Sequence, residues 1–155
     1  MMRLSGELAP EAFEALVVEY QRLLREVLAA MGGLAVDLDG DTATAAFPSA
    51  KQAALAAVGT QRAVAAHEWP HGRRLEMSVG LDSGSADQTI RCCEELCDAA
   101  EGGEVYLTQR VSDLLEDEDL GELSVRDLGE VALRRTDRKV RASELVFPLV
   151  EPRPA

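Results

Sequence analysis

The sequence predicts a mixed α/β domain in which helices cover a β-sheet. Three observations support this class. An apolar stripe at helical spacing runs along residues 11–31, and apolar and polar residues alternate strictly over residues 74–81. Helix-like and strand-like segments also follow each other along the rest of the chain, with no repeat or long linker between them. A chain of 155 residues can bury a substantial core. We therefore predict one domain over residues 1–155.

The first helix and the hairpin after it have clear boundaries in the sequence. Pro10 suits the first turn of a helix, and Gly32-Gly33 suits its end, so a helix is predicted at about 11–31. The turn residues Asp-Gly-Asp then separate two short segments of strand character, which predicts a β-hairpin at roughly 34–47.

The next helix and strand are predicted by a capping pattern and by alternation. Ser49 followed by Gln52 forms a capping box for an alanine-rich helix at about 50–67, which closes before Trp69. Residues 74–81 follow as a strand with one buried side. Its apolar face consists of Leu75, Met77, Val79 and Leu81.

The last third of the chain continues the alternation, with Thr108 as the predicted N-cap of a short helix. Its predicted elements are a helix at about 86–101 ending at Gly102-Gly103, a strand at 104–107, a solvated acidic loop at 116–119, and two late strands at 123–129 and 143–150.

The charge balance argues against nucleic acid as a partner. The chain has 16 Lys and Arg against 28 Asp and Glu, a net charge of −12, and such a surface repels phosphate backbones. The most basic segment, residues 134–141, is short and interrupted by Asp137, so we interpret it as a loop.

Histidines and cysteines give little support for a metal site or a disulfide framework. His67 and His71 have no second pair of ligands nearby in the sequence, which argues against zinc. Cys92, Cys93 and Cys97 form no CxxC motif, and we expect them to be core-packing residues of a helix in a reducing cytoplasm. No apolar run is long enough to span a bilayer, and the amino terminus does not resemble a signal peptide. We expect a cytoplasmic protein without a membrane partner.

Three alternating carboxylates, Asp37, Asp39 and Asp41, raise the question of a cation site. An EF-hand loop counted from Asp37 would need glycine where Thr42 stands and glutamate where Pro48 stands, so that site is excluded. Aspartates are common in turns because they bond to nearby backbone N–H groups. A hairpin turn is the better interpretation of Asp37 and Asp39, whereas the role of Asp41 stays open on this basis.

Five stretches, in this order and spacing, resemble the class III adenylate and guanylate cyclase homology domain. They are "ELAPEAFEALVVEYQRLL" (7–24), "DGDTATAAFPSAKQAALAA" (39–57), "VGLDSG" (79–84), "GGEVYLTQ" (102–109) and "VRDLGEVAL" (125–133). The resemblance covers nearly the whole chain. It implies an α+β sandwich with a ferredoxin-like antiparallel sheet, and two subunits that meet head to tail.

The resemblance also implies a site that this chain has largely lost. In the family, two aspartates hold two divalent metal ions around the triphosphate. An asparagine and an arginine four residues apart on one helix act on the ribose and the transition state, and a lysine recognises the purine. Asp41 matches the second metal aspartate as a vestigial ligand. Asp37 occupies the lysine position, and Arg91 and Glu95 occupy the asparagine and arginine positions. The chain contains no asparagine at all.

We expect that the segment carrying the first metal aspartate, and with it the first strand of the sheet, is missing at the amino terminus. Residues 1–6, "MMRLSG", include an arginine and a glycine that suit a buried strand poorly. Unpaired N–H and C=O groups on the neighbouring strands would then be covered by another chain, or the strands would close up.

The lost residues favour a non-catalytic cyclase homology domain that acts as a dimerisation or signalling module. Two alternatives stay open: a cyclase that is active only with a partner subunit, and a small-molecule binding module that uses the former nucleotide cleft. We expect no cofactor, with Mg²⁺ or Mn²⁺ bound only if residual cyclase activity exists. The expected partner is a second copy of the chain or a cyclase-like protein.

Overall fold

The computed structural model describes residues 2–4, 9–134, 136 and 138–148. Its elements in chain order are β1 (Met2–Leu4), α1 (Pro10–Ala30), β2 (Leu34–Asp39), β3 (Thr42–Ala46), α2 (Ala50–Ala66), a 3₁₀ turn (Pro70–Gly72), β4 (Leu75–Met77), β5 (Val79–Leu81), α3 (Ala86–Ala99), β6 (Val105–Thr108), α4 (Gln109–Leu115), β7 (Ser124–Ala132) and β8 (Lys139–Val146).

The helices begin and end where their local signals predict. Pro10 opens α1, and Gly32, at φ +86°, follows its last turn. The Oγ atom of Ser49 accepts a hydrogen bond from the Gln52 amide at 3.2 Å, so the predicted capping box starts α2. The Thr108 hydroxyl caps α4 by accepting from the Val111 amide at 3.5 Å. These bonds satisfy backbone donors that a helix leaves unpaired at its first turn.

Among the described strands, pairing produces three groups rather than one continuous sheet. The largest has the order β5-β6-β8-β7, and β1-β4 and β2-β3 form separate pairs. All pairs are antiparallel except β5-β6, which is parallel. The predicted mixed α/β class is confirmed.

The prediction that the first strand is missing is wrong, because residues 2–4 form a strand. Met2–Leu4 pairs with Leu75–Met77, with Met2 opposite Met77 and Leu4 opposite Leu75. Backbone pairing needs only main-chain N–H and C=O groups, so Arg3 within the segment did not prevent it. The first strand is therefore present, over Met2–Leu4 of the described residues.

The predicted strand at 74–81 is divided at Ser78 and covered on both faces near that residue. Leu75 and Met77 are buried as predicted, but Ser78 is only 1% exposed although the alternation placed it on the polar face. The reason is α3, whose Cys97 carbonyl accepts a hydrogen bond from Ser78 Oγ at 3.0 Å. A helix therefore packs on the side that was expected to face solvent.

Of the two late strands, β7 is longer than predicted and β8 begins earlier than predicted, which changes the interpretation of the basic segment. β7 extends to Ala132 and β8 begins at Lys139, so the last residues of 134–141 belong to a strand and not to a loop. Arg135 and Asp137 lie outside the described residues. Arg141 is paired in register with Glu130 and forms an ion pair with Asp127 at 2.8 Å.

The core consists of two neighbouring clusters that share Val79 at their boundary. One cluster joins α2, β6, α4 and β8 and contains Ala54, Ala57, Val58, Val105, Leu107, Val111, Leu115, Leu123 and Leu145. The other joins α1, the end of α2 and β4 and contains Leu16, Tyr20, Leu24, Val64, Trp69, Leu75 and Met77. Val79 packs against both. Val79 packs toward α2, whereas the next residue, Gly80, lies against Cys93 and Leu96 of α3. Because side chains alternate along a strand, the two helices cover opposite faces of β5.

Candidate functional site

The β2-β3 hairpin places Asp41 in a tight two-residue turn. Gly40 and Asp41 occupy the two central positions, and Gly40 has φ +57°, as the first residue of a type II′ turn requires. Asp39 therefore ends β2, and Asp41 lies in the turn itself rather than at the start of the second strand. Gln21 Nε2 of α1 donates to the Gly40 carbonyl at 2.8 Å, which ties the turn to the helix.

The three hairpin carboxylates do not converge on one point. Asp37 and Asp39 are exposed on β2, opposite Thr44 and Thr42, whereas Asp41 is half-buried in the turn. The Thr42 hydroxyl donates to Asp41 Oδ1 at 3.4 Å, a long hydrogen bond. Within the described part of the chain, no group of three or more His, Cys, Asp or Glu side chains has the arrangement of a metal site.

The second candidate element is α3, which carries Arg91 and Glu95 four residues apart and so on one face. Arg91 is exposed and Glu95 is half-buried. The opposite face of the helix packs on the sheet, where Leu96 and Ala100 have no exposed surface. Arg91 is therefore directed to solvent, whereas Glu95 is partly covered.

The hairpin and α3 face each other across a cavity of about 150 Å³. Its walls come from β3 and β5, from α1 and α2, and from one face of α3. Ile90 and Glu94 of α3 contribute to the wall, whereas Arg91, Glu95, Asp37 and Asp41 do not. The structure thus brings the two candidate elements to one region without bringing the four predicted side chains into one pocket.

Comparisons with known proteins identify the architecture. No family model and no curated protein matches the chain, but solved structures do. An adenylate cyclase of Trypanosoma brucei, described in its monomeric state, superposes with a TM-score of 0.69 at 18% identity, over 93% of this chain and 86% of that one. The guanylate cyclase domain of RhGC from Catenaria anguillulae, in complex with GTP, gives 0.69 at 10% identity, over 94% and 93%. The chain has the nucleotide cyclase fold.

A third match bears on assembly. The guanylyl cyclase domain of the RhoGC fusion protein from Blastocladiella emersonii, described as a non-canonical dimer, superposes with a TM-score of 0.65 at 10% identity, over 90% of this chain and 86% of that one. Proteins with this fold have therefore been solved both as a monomer and as a dimer. The superpositions establish the cyclase fold of the chain. At identities this low they do not establish its activity, which has to be argued from the chemistry of its residues.

Sequence reasoning missed a buried carboxylate beside α3. The Asp82 side chain, directly after β5, has no exposed surface. Its Oδ1 accepts from the Thr108 hydroxyl at 2.7 Å, and its Oδ2 accepts from Arg110 at 2.9 Å. Both carboxylate oxygens are therefore paired, as a buried charge requires. The acidic residue that follows the apolar "VGL" was the available signal.

The three cysteines lie on α3 beside this carboxylate and are free thiols. Burial, followed by the Asp82 charge, raises the pKa of Cys92 to about 11 and that of Cys93 to about 12. Burial also raises the pKa of Cys97, whose thiol donates to the Ser78 carbonyl at 3.6 Å. Thiols with raised pKa values are poor nucleophiles at neutral pH, which agrees with the predicted packing role.

Over the described residues, no helix combines the length and apolarity needed to cross a bilayer.

Proposed function

We propose that this chain is a non-catalytic cyclase homology domain that acts as a dimerisation or signalling module. Glu95 is the observation that carries the proposal. It stands where the cyclase resemblance places an arginine, and its side chain is half-buried on α3. A carboxylate at that position opposes the negative charge of a polyphosphate transition state, whereas a cation would stabilise it.

Three other features of the chain support the same conclusion. Asp37, exposed on β2, replaces the cation expected to recognise the purine. The chain has no asparagine that could act on the ribose, and its net charge of −12 disfavours any polyanionic substrate. These features support a domain that keeps the cyclase frame without the polar groups that turnover needs.

A pair of bound divalent metal ions, as in the cyclase family, has as little support as catalytic turnover. Asp41 is the only position that matches a metal aspartate of the family, and its Oδ1 already accepts a hydrogen bond from Thr42. Mg²⁺ in such sites depends on one or two carboxylates together with the substrate phosphates. A single carboxylate cannot hold two ions, and a net charge of −12 disfavours the phosphates that would supply the other ligands, so we propose that Asp41 is a vestigial ligand.

Assembly is the function that remains for such a frame. The family resemblance implies subunits that meet head to tail, and one solved relative is described as a dimer. We propose that the chain forms a homodimer or pairs with a cyclase-like protein. A specific pair of this kind is expected to bury at least roughly 1,000 Å² in total.

A cyclase assay tests the catalytic half of the proposal. The purified chain is incubated with ATP or GTP in the presence of Mg²⁺ or Mn²⁺, and cyclic nucleotide is measured. Asp41→Ala serves as the matched control, because it removes the one candidate ligand. We expect no product from either protein. Product that the unmodified chain forms and Asp41→Ala does not form would overturn the proposal.

Light scattering tests the assembly half. The molar mass of the chain is measured over a range of concentrations, and we expect a concentration-dependent shift from monomer to dimer. A monomer mass that persists at the highest concentration would exclude the homodimer. Mixing with a candidate cyclase-like protein then reports a heterodimer as a mass equal to the sum of the two chains.

A further inference from the structure

The cavity between β3 and β5 is bounded by backbone that no described strand covers. The Val79 amide donates to the carbonyl of Glu104, the residue before β6, at 3.1 Å. In a parallel ladder the next residue points to the other edge, so the peptide groups of Gly80 face away from β6. Both β5 and β3 contribute to the cavity wall, and within the described residues they have no strand partner on this side.

The hairpin side of the cavity has the same character. In a two-residue hairpin the closing pair, here Asp39 and Thr42, is hydrogen-bonded. The following residue, Ala43, then directs its N–H and C=O groups away from β2. Ala43 also lines the cavity with a side chain too small to fill it. Short side chains and outward peptide groups therefore leave a space with polar groups at its margin.

Tyr20 adds a buried donor to this wall. The residue is only 1% exposed, it lines the cavity, and its hydroxyl has no hydrogen-bond partner among the described residues. Burial, followed by the charge of Asp41, raises the pKa of Tyr20, so the hydroxyl stays protonated as a donor. Leaving a buried hydroxyl unpaired is unfavourable in a folded protein.

The remaining lining favours an apolar molecule and selects against anions. Leu24, Leu28, Phe47 and Ile90 contribute apolar surface, and Glu94 is the only carboxylate or basic side chain among the described lining residues. An anion would be repelled by that carboxylate and would lose its hydration without a counter-charge. A cavity of this volume with an apolar lining accommodates about one six-membered ring.

We propose that this cavity binds a small, uncharged, mainly apolar molecule that accepts a hydrogen bond from the Tyr20 hydroxyl. The ligand class is a single-ring or short-chain compound with one carbonyl or hydroxyl oxygen. A nucleoside triphosphate is excluded by its size and charge, so the site is separate from the positions that the cyclase resemblance assigns. The inference holds whether or not the chain forms a dimer.

Toluene and phenol provide a matched pair of probes for the full chain. The two rings differ by a methyl against a hydroxyl group, so phenol alone offers the acceptor oxygen. Amide chemical shifts are followed by NMR during titration with each compound, and both are expected to perturb residues on the two cavity walls, including Ala43 and Gly80. The affinity ratio of phenol to toluene then measures the contribution of the hydrogen bond.

Tyr20→Phe isolates the hydroxyl, and Tyr106→Phe is the control because Tyr106 lies on β6 outside the cavity. We expect Tyr20→Phe to lower the phenol-to-toluene affinity ratio by about 3–10-fold, the range for one hydrogen bond. Tyr106→Phe should leave the ratio unchanged. The absence of shifts at the cavity walls with both probes would overturn the proposal. A ratio that Tyr20→Phe leaves unchanged would overturn the role of the hydroxyl.

Discussion

Gly80 is the point at which the sheet and α3 come closest, and Gly80→Ala is the most informative single change for the fold. A Cβ atom at this position would overlap the main-chain oxygen of Cys93 and lie 3.0 Å from Leu96 Cβ. The oxygen belongs to the middle of a helix and cannot move alone. Relief of the overlap therefore requires α3 to move as a unit relative to β5.

The size of the effect follows from this geometry. Restoring an ordinary C···O separation of about 3.3–3.6 Å requires a helix displacement of roughly 1 Å. Overpacking of this kind typically costs about 1–3 kcal/mol. At about 2–4 °C per kcal/mol for a chain of this length, the melting temperature should fall by about 2–12 °C.

Gly59→Ala is the matched control because the added Cβ meets a different kind of neighbour. Gly59 lies inside α2, and the nearest atoms to its Cβ would be the sulfur and terminal methyl of Met31. A flexible methionine can move aside. Alanine also favours a helix over glycine by roughly 0.5–1 kcal/mol. We expect Gly59→Ala to leave the free energy of unfolding unchanged or to raise it slightly.

Urea unfolding of the two variants, followed by circular dichroism, distinguishes these expectations. Gly80→Ala should lower the unfolding midpoint without changing the slope, because the surface exposed on unfolding is nearly the same. A Gly80→Ala variant as stable as the unmodified chain would show that α3 does not pack on β5 as closely as described. Equal losses in both variants would refute the distinction between backbone and side-chain neighbours.

Three further predictions concern the polar groups around the site. Asp82→Ala should lower the free energy of unfolding by about 1–3 kcal/mol, because Thr108 loses a buried acceptor; Arg110→Ala should cost at least as much, because it leaves the Asp82 carboxylate, whose side chain has no exposed surface, without its counter-charge. Both are measured by urea unfolding. The pKa of Cys93 rises from 9.0 to about 12 on folding, mainly through burial. The stability that this thiol contributes is therefore complete below pH 9 and is lost as the pH rises toward 12. Urea unfolding is measured below pH 9 and again as the pH approaches 12. The decrease in the free energy of unfolding between the two conditions should be smaller for Cys93→Ala than for the unmodified chain. Asp41→Asn should change stability by under about 0.5 kcal/mol, because a turn accepts asparagine; isothermal titration with Mn²⁺ should show only weak binding before and after the change.

The elements with local signals were predictable from the sequence. The boundaries of α1 and α2 depend on Pro10, Gly32 and the Ser49 cap, whose partners lie within a few residues. The hairpin turn depends on the Gly40 conformation. Such contacts are specified by neighbouring residues, so tertiary structure adds little to them.

The features that the sequence did not predict depend on residues far apart in the chain. The division of the predicted strand at Ser78 requires α3, whose Cys97 is 19 positions away. The pairing of Met2–Leu4 with β4 joins residues that are 71 to 75 positions apart in the sequence. The unpaired hydroxyl of Tyr20 arises only where α1 meets the hairpin and β5. No local pattern encodes these contacts, because each is set by how the helices pack on the sheet.

The positions that hold the cyclase fold and the positions that would hold a triphosphate lie on different sides of the same elements. On α3, Leu96 is fully buried, whereas Arg91 is exposed and Glu95 is half-buried. On β2, Leu38 packs against the core while its neighbour Asp37 is exposed. Changes of charge at exposed positions typically alter stability by no more than about 0.5 kcal/mol. The fold can therefore persist when charges at such positions change, which is why a TM-score of 0.69 at 10% identity reports packing and not turnover. Under the proposed function, the charges at Asp37 and Glu95 would both oppose a triphosphate.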